Sequence, residues 1–285
     1  MGVQRIAVVT DSTADLPPDV QEKLDIPIIP LTVLWGGASL KDGVDIDALT
    51  FYQRLQVDKD LPTTSQPSAG EFVDFFRRVA EEKGVDTIVG VFLSSALSGT
   101  VSSAKMAQEM LTDLHIEVVD SLSASMGLGF QAMAAAEAAQ NGASVEDVLE
   151  EIHRVRYRHH VLFLVDTLEF LHRGGRIGGA RRFLGTALRV KPLLHLLDGK
   201  IEPLEQVRTK KRAIQRLLEV AVERKGSARV VCAAAIHAHA PEEGWLLQEE
   251  AQGLLQPQGS YLSTVSPVLG THTGPGALGL ILYTD

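Results

Sequence analysis

The strongest constraint on the fold is a pattern that recurs along the first half of the chain: a short apolar run, a polar cluster and then a helical segment. The polar clusters are TDST at positions 10–13, SS at 94–95 and DS at 120–121. Strand, polar loop and helix in this order are typical of an α/β fold built on a parallel sheet. The carboxyl ends of parallel strands share one edge of the sheet, where ligands bind. The sequence therefore predicts that these clusters meet in one polar site.

Helix capping is the alternative explanation for the same clusters. Ser94 and Ser95 follow an apolar run and precede a predicted helix, where serine ordinarily caps the first turn. The free N–H groups of a helix N-terminus also attract anions, so the two serines could instead hold a negatively charged ligand. Capping predicts no convergence with the hydroxyl-rich loop expected at 63–65, whereas a shared site does. The residues alone leave both interpretations open.

The second half of the chain carries a different signal. Strands predicted at 192–197 and 200–207 are joined by Asp198 and Gly199, the strongest two-residue hairpin signal in the sequence. Antiparallel strands are therefore expected in this half. A helix is expected near 180–188, before the hairpin.

The two patterns meet at a basic run at positions 154–160, which we take as the boundary between two domains. We predict an α/β fold in which residues 1–160 form a mostly parallel sheet flanked by helices. Residues 161–285 are expected to form a second α/β domain with a largely antiparallel sheet. Two strands are expected to close the chain, one on each side of the THTGPG segment at 271–276.

Composition and charge argue against several classes of function. The formal net charge of −9 argues against nucleic acid as the main partner, because binding along phosphates needs a basic face. Cys232 is the only cysteine, so neither an intramolecular disulfide nor a cysteine-based zinc site can form. No apolar run approaches the roughly 20 residues of a membrane-spanning helix. We expect a cytoplasmic protein without a membrane span or a nucleic-acid partner.

The sequence lacks the usual signatures of nucleotide, serine hydrolase and zincin chemistry, which are the Walker loop, Gly-x-Ser-x-Gly and His-Glu-x-x-His. Glycine spacing at 274–279 matches a dinucleotide-binding pattern, but the few residues that follow cannot complete a βαβ unit. His237 and His239 alternate onto one face of a predicted strand, yet no third metal ligand is evident. We therefore expect neither a cofactor nor a metal.

Two further residues are candidates for anion binding. His272 lies between two threonines just before a glycine-rich turn, and a histidine can donate to an anion in either protonation state. A hydrogen bond to the turn backbone is the alternative role of His272, and the sequence does not decide between them. The arginines and lysines of the second half suit a solvated helix face. Arg176 is the exception, because glycines flank it on both sides.

Several short segments form a set of motifs in a fixed order along the chain. They are VTDSTADLP at 9–17, TSQPS at 64–68, SSALSGT at 94–100, GGRI at 174–177 and HTGPG at 272–276. Together they resemble the DegV family of bacterial fatty-acid-binding proteins. The resemblance runs from residue 3 to about residue 283, and VVDS at 118–121 and GLG at 127–129 also fit it.

The resemblance implies a two-domain α/β fold that encloses one long-chain fatty acid, with the carboxylate at the domain interface and the acyl tail in an apolar tunnel. It also implies that a separate ATP-dependent fatty acid kinase subunit phosphorylates the presented carboxylate, giving an acyl phosphate for phospholipid synthesis. The carboxylate-binding positions of the family would correspond to Thr64, Ser94 or Ser95, and His272, and the positions that serve the kinase to Arg176 and Arg208.

Two other functions stay open at this point. One is lipid storage or transfer without a kinase partner. The other is an enzyme that acts on a small anionic substrate, with Ser95 as the nucleophile and His272 as the base.

Overall fold

The computed structural model describes residues 5–185 and 190–285. The strands in these ranges are β1 (Ile6–Asp11), β2 (Ile28–Ile29), β3 (Thr32–Trp35), β4 (Ala38–Lys41), β5 (Thr63–Ser65), β6 (Thr87–Phe92), β7 (His115–Asp120), β8 (His159–Leu164), β9 (Lys191–Leu197), β10 (Lys200–Val207), β11 (Val230–His237), β12 (Gly259–Thr264) and β13 (Leu278–Thr284). The α-helices are α1 (Pro18–Leu24), α2 (Ala48–Val57), α3 (Ala69–Lys83), α4 (Thr100–Met110), α5 (Met126–Gln140), α6 (Val145–Arg158), α7 (Glu169–Arg173), α8 (Lys210–Lys225), α9 (Pro241–Leu255) and α10 (Pro267–Thr273).

The sheet of the N-terminal half has four parallel strands in the order β2-β1-β6-β7. Alternate residues of a strand face opposite sides of a sheet. Ala7 and Val9 of β1 accordingly pack in the same core as α3 and α4, whereas Val8 packs in the core that contains α5.

The polar clusters at the strand ends meet at one edge of this sheet, as predicted. The Asp11 carboxylate accepts a hydrogen bond from the Leu93 N–H at 2.7 Å. The Ser95 N–H lies 3.3 Å from the Asp120 carboxylate, so the loops after β6 and β7 are also in contact.

The second sheet has six strands in the order β10-β9-β8-β13-β11-β12. All neighbours are antiparallel except β11 and β12. The predicted hairpin is confirmed, because Asp198 and Gly199 join β9 to β10 with φ values of 48° and 76°. Both residues of a type I′ turn require positive φ. The predicted fold class is therefore confirmed: α/β, with one parallel and one largely antiparallel sheet.

Helix α5 lies between the two sheets and contacts strands of both. A helix that is apolar on every side is buried on every side, and the residues from Met126 to Met133 are all buried. The largest hydrophobic core is consequently continuous across the two halves of the chain and includes Val8, Leu128 and Ile281.

Local structure differs from the sequence-based expectation at three places. Residues 63–65 form a short strand, β5, in a small antiparallel sheet of order β4-β3-β5. The segment before the closing strand contains a short helix, α10, so His272 lies on a helix. The helix expected near 180–188 is a 3-10 helix over Gly178–Phe183, and residues 186–188 of that prediction lie outside the described ranges.

Candidate functional site

An apolar cavity lies where the small sheet, the start of α5 and the second sheet meet. Its volume is about 920 Å³, counting the part that is open to solvent. The apolar wall comes from both halves of the chain and includes Leu31, Leu93, Val161, Phe163, Ile236 and Val268. The wall therefore suits an apolar ligand, and it exists only when both halves are folded together.

Three polar side chains mark the place where this cavity approaches the surface. Thr64, Arg176 and His272 line the cavity, and the same three residues line an adjoining surface depression. The Thr64 Oγ1 lies 2.8 Å from the His272 Nε2, within hydrogen-bonding distance. A hydroxyl, an imidazole and a guanidinium thus lie between an apolar interior and the solvent, where the charged end of an amphipathic ligand would be stable.

His272 is uncharged at neutral pH. Burial, and secondarily the nearby Arg176 guanidinium, lowers its pKa to about 4. Its Nδ1 is buried and has no hydrogen-bond partner among the described residues. A Cβ built on Gly174 would lie 2.1 Å from this Nδ1. Only glycine at position 174 leaves room for the imidazole in this orientation.

Arg176 is fixed by two backbone carbonyl groups. Its Nε donates to the Leu97 carbonyl at 3.1 Å, and its Nη1 donates to the Gly174 carbonyl at 2.8 Å. The guanidinium therefore joins the loop after β6 to the turn after α7. Because these bonds leave other N–H groups of the five that a guanidinium carries, Arg176 can still contact an anion.

The structure places Ser94 and Ser95 away from the cavity wall. Ser94 is fully buried, and its hydroxyl donates to the Gly199 carbonyl at 2.9 Å. Ser95 is exposed. In the described part of the chain neither serine lines the cavity, whereas Ser98 does. Neither caps the next helix, since α4 begins after Gly99 without a side-chain cap.

The structure does not bring Ser95 and His272 together as a nucleophile and a base. His272 pairs with Thr64 instead, and no hydrogen bond between His272 and Ser95 is found within the described ranges. Arg208 is exposed at the end of β10 and is not part of the cavity wall as described. His239 stacks on Tyr52, with ring centroids 5.7 Å apart. Over the described ranges, no three His, Cys, Asp or Glu side chains are grouped as a metal site would require.

Sequence reasoning missed two buried carboxylates near the site, Asp15 and Asp42. Asp15 falls within the VTDSTADLP motif, so its place in that motif could have indicated a role at the site. Asp42 follows β4 in a polar turn, and no sequence signal separates it from a solvated aspartate.

Among the described helices, none has the length and apolar character needed to cross a bilayer.

The sequence matches a known family over nearly its whole length. The family model described as "Uncharacterised protein, DegV family" matches residues 5–285. The chain belongs to the DegV family. Two relatives from this family are similar to the chain over nearly the whole length of both proteins. Protein DegV of Bacillus subtilis is 38% identical over 96% of this chain and 98% of its own length. A DegV domain-containing protein of Streptomyces coelicolor is 41% identical over 98% of both chains.

Solved structures of DegV proteins share the fold. A DegV family protein from Thermus thermophilus, described as fatty acid binding, matches with a TM-score of 0.92 and 36% identity over 99% of this chain and 100% of that one. DegV of Bacillus subtilis, described as a fatty acid binding protein, matches with a TM-score of 0.90 and 37% identity over 99% and 100%. A stearic acid-binding protein from Eubacterium ventriosum matches with a TM-score of 0.87 and 26% identity over 98% of both chains. These three structures with the same fold are therefore all described as binding fatty acids.

Proposed function

We propose that this protein binds one long-chain fatty acid, with the carboxylate at Thr64, His272 and Arg176 and the acyl tail in the apolar cavity. The observation that carries the proposal is the position of these three polar side chains, which line both the cavity and the surface depression beside it. The fatty-acid-binding relatives of the same fold support it.

The acyl tail supplies most of the binding free energy in this proposal. Burying about fifteen methylene groups contributes roughly 12 kcal/mol at ~0.8 kcal/mol each, before the loss of motional freedom is subtracted. A carboxylate left unpaired at the cavity would oppose binding strongly. The polar groups are therefore needed mainly to compensate the lost hydration of the carboxylate and to fix its orientation.

In this proposal His272 donates the hydrogen bond to Thr64. A neutral imidazole that carries its proton on Nε2 donates to the Thr64 Oγ1, and the threonine hydroxyl then donates to the ligand carboxylate. Arg176 supplies the positive charge in this arrangement. The depressed pKa of His272 suits this role, because an uncharged ring cannot form an ion pair in place of Arg176.

We further propose that a separate ATP-dependent fatty acid kinase subunit phosphorylates the carboxylate that this protein presents. Arg208 and Arg176 serve that encounter in the proposal, and the exposure of Arg208 outside the cavity wall supports a role toward a partner. Residues 1–160 supply Thr64, and residues 161–285 supply His272 and both arginines. The protein acts in the cytoplasm in this proposal, needs no cofactor and has no nucleic-acid partner.

A titration with oleate tests the binding step. We expect displacement of a fluorescent fatty acid at one site per chain, weakened in His272→Ala. A folded protein that takes up no fatty acid would reject the proposal.

The kinase step is tested separately, by mixing loaded protein with a candidate kinase subunit and ATP. If acyl phosphate forms with the wild type and much less forms with an Arg208 variant, the result supports presentation of the fatty acid to a kinase. Fatty-acid binding without acyl phosphate with any such kinase would leave storage or transfer as the function.

A further inference from the structure

Helix α10 carries His272 near its C-terminal end and begins after Ser266 at its N-terminal end. Six residues of α-helix correspond to about 9 Å, so the start of α10 fixes where the imidazole lies. Ser266 is the N-cap residue, yet its side chain makes no capping hydrogen bond. Another group must therefore hold the first turn in place.

Asp15 makes that connection from the loop after β1. Its carboxylate accepts hydrogen bonds from the Ser266 N–H at 3.1 Å and from the Ser125 hydroxyl at 2.6 Å. The Asp15 carbonyl also accepts from the Ser263 hydroxyl at the end of β12. Since Ser125 lines the cavity, Asp15 joins the cavity wall to the helix that carries His272.

Asp42 is a second buried carboxylate at the same helix end. It is 3% exposed and accepts a hydrogen bond from the Ser12 hydroxyl at 2.8 Å. The Val268 N–H, in the first turn of α10, also stabilises its ionised form. Helix N-termini favour negative charge, because their N–H groups are free and the helix dipole is positive there.

The titratable groups that face this pair are Asp11 and Tyr52. Burial raises the pKa of Asp15 to about 7 and that of Asp42 to about 8, and the charge of Asp11 raises both further. Burial also raises the pKa of Tyr52 well above its usual value, with both carboxylates contributing. The Tyr52 hydroxyl donates to the Val265 carbonyl at 3.1 Å, next to the start of α10.

We propose that Asp15 is a positioning residue for the fatty-acid site: it holds the first turn of α10 against the N-terminal half, and so places His272 beside Thr64. The inference rests on the fatty-acid binding proposed above. The Asp15 carboxylate does not contact the fatty acid in this proposal. It acts through the helix, and the bonds of Asp15 to Ser263 and Ser266 join the two halves of the chain around the cavity.

The test compares Asp15→Gly, which removes the side chain, with Asp15→Asn, whose amide oxygen can still accept from the Ser266 N–H. Glycine and asparagine both tolerate the left-handed conformation of residue 15, whose φ is 50°. We measure the affinity for oleate and the ring nitrogen resonances of His272 by NMR. We expect the oleate Kd of Asp15→Gly to rise by about tenfold or more, and its His272 resonances to move in the unliganded protein, whereas Asp15→Asn should resemble the wild type more closely in both measurements.

Asp11→Asn is the matched control, since Asp11 is fully buried and bonded to Leu93, with no hydrogen bond to α10 in the described structure. It is expected to lower the melting temperature and to leave the His272 resonances in place. His272 resonances that stay in place, together with an oleate affinity within about twofold of the wild type in folded Asp15→Gly, would overturn the inference. Asp15→Ala provides the same comparison if Asp15→Gly does not fold.

The two proposals fail in different ways. If wild-type protein takes up no oleate, the proposed function fails, and the His272 resonances alone decide whether Asp15 positions α10.

Discussion

Thr64 and His272 are 208 residues apart in sequence, and their side chains lie 2.8 Å apart in the structure. The contact joins strand β5 of the N-terminal half to helix α10 of the C-terminal half at the polar end of the cavity. A carboxylate at this point is bound by groups from both halves of the chain. Ligand binding and the association of the two halves should therefore be coupled.

The Thr64 hydroxyl is the first group to test. Thr64→Val removes the hydroxyl and keeps the side-chain shape, so we expect the oleate Kd to rise by about tenfold to a hundredfold, which is the effect of losing a hydrogen bond to a charged group. Displacement of a fluorescent fatty acid measures it. Thr63→Val is the matched control, because Thr63 is the exposed neighbour on β5 and should bind like the wild type. Equal affinities for both variants would exclude the Thr64 hydroxyl from the site.

Gly174 offers a test of the His272 orientation. An added Cβ would meet the His272 Nδ1 at 2.1 Å, so Gly174→Ala should turn the imidazole away from Thr64 and weaken oleate binding by about tenfold. Gly253→Ala is the control, since a Cβ there meets nothing within 4 Å and favours helix α9. Wild-type affinity in Gly174→Ala would contradict the assigned role of His272.

The depressed pKa of His272 predicts the protonation state of the site. NMR titration should show His272 neutral down to about pH 5, with a midpoint near the value of about 4. A histidine with a lowered folded-state pKa contributes stability above its unfolded pKa of about 6.5, and that stability is lost as the pH falls through the folded-state value. The difference in unfolding free energy between wild type and His272→Gln should accordingly shrink below about pH 6.5. A midpoint near 6.5 would show that the ring is solvated.

The buried carboxylates predict a pH dependence of opposite sign. Their folded-state pKa values are raised, so their contribution to stability is fully present below about pH 4 and is lost as the pH rises through about 7 for Asp15 and about 8 for Asp42. For Asp15 the shift corresponds to on the order of 4 kcal/mol. The unfolding free energy of Asp15→Asn relative to that of the wild type should therefore increase as the pH rises from 5 to 8, as measured by urea unfolding. A constant difference across this range would contradict the raised pKa.

Arg208 separates fatty-acid binding from transfer to a kinase. Arg208→Ala should bind oleate like the wild type, because the residue lies outside the cavity wall as described, and should yield about tenfold less acyl phosphate with a kinase subunit. Lys211→Ala, an exposed basic residue nearby, is the control for a general loss of positive charge. Reduced oleate affinity in Arg208→Ala would place this residue in the ligand site instead.

The sequence predicted those parts of the fold whose signals are local. The parallel strands have continuous apolar runs that end in polar clusters, and the β9–β10 hairpin has an Asp-Gly turn that accepts positive φ. Helix α10 could not be predicted in this way. It has seven residues, too few for an isolated helix to be stable, and its N-terminus depends on hydrogen-bond acceptors distant in sequence.

The site was predicted only in part for the same reason. Thr64, Arg176 and His272 lie together, but nothing local indicates that the Ser94 hydroxyl turns toward the Gly199 carbonyl. Ser98, four residues later, lines the cavity instead. The motif at 94–100 contains Ser94, Ser95 and Ser98. The sequence does not show which of these three hydroxyl groups in the strand-to-helix loop faces the cavity. The domain boundary at residue 160 stays a prediction.

Native mass spectrometry of the purified protein shows directly whether a fatty acid is bound and at which site. We expect one fatty acid per chain after incubation with oleate, and a reduced bound fraction in Thr64→Val and His272→Ala under the same conditions. Folded wild-type protein that carries no fatty acid would reject fatty-acid binding, and variants that retain it as fully as the wild type would reject the proposed carboxylate site.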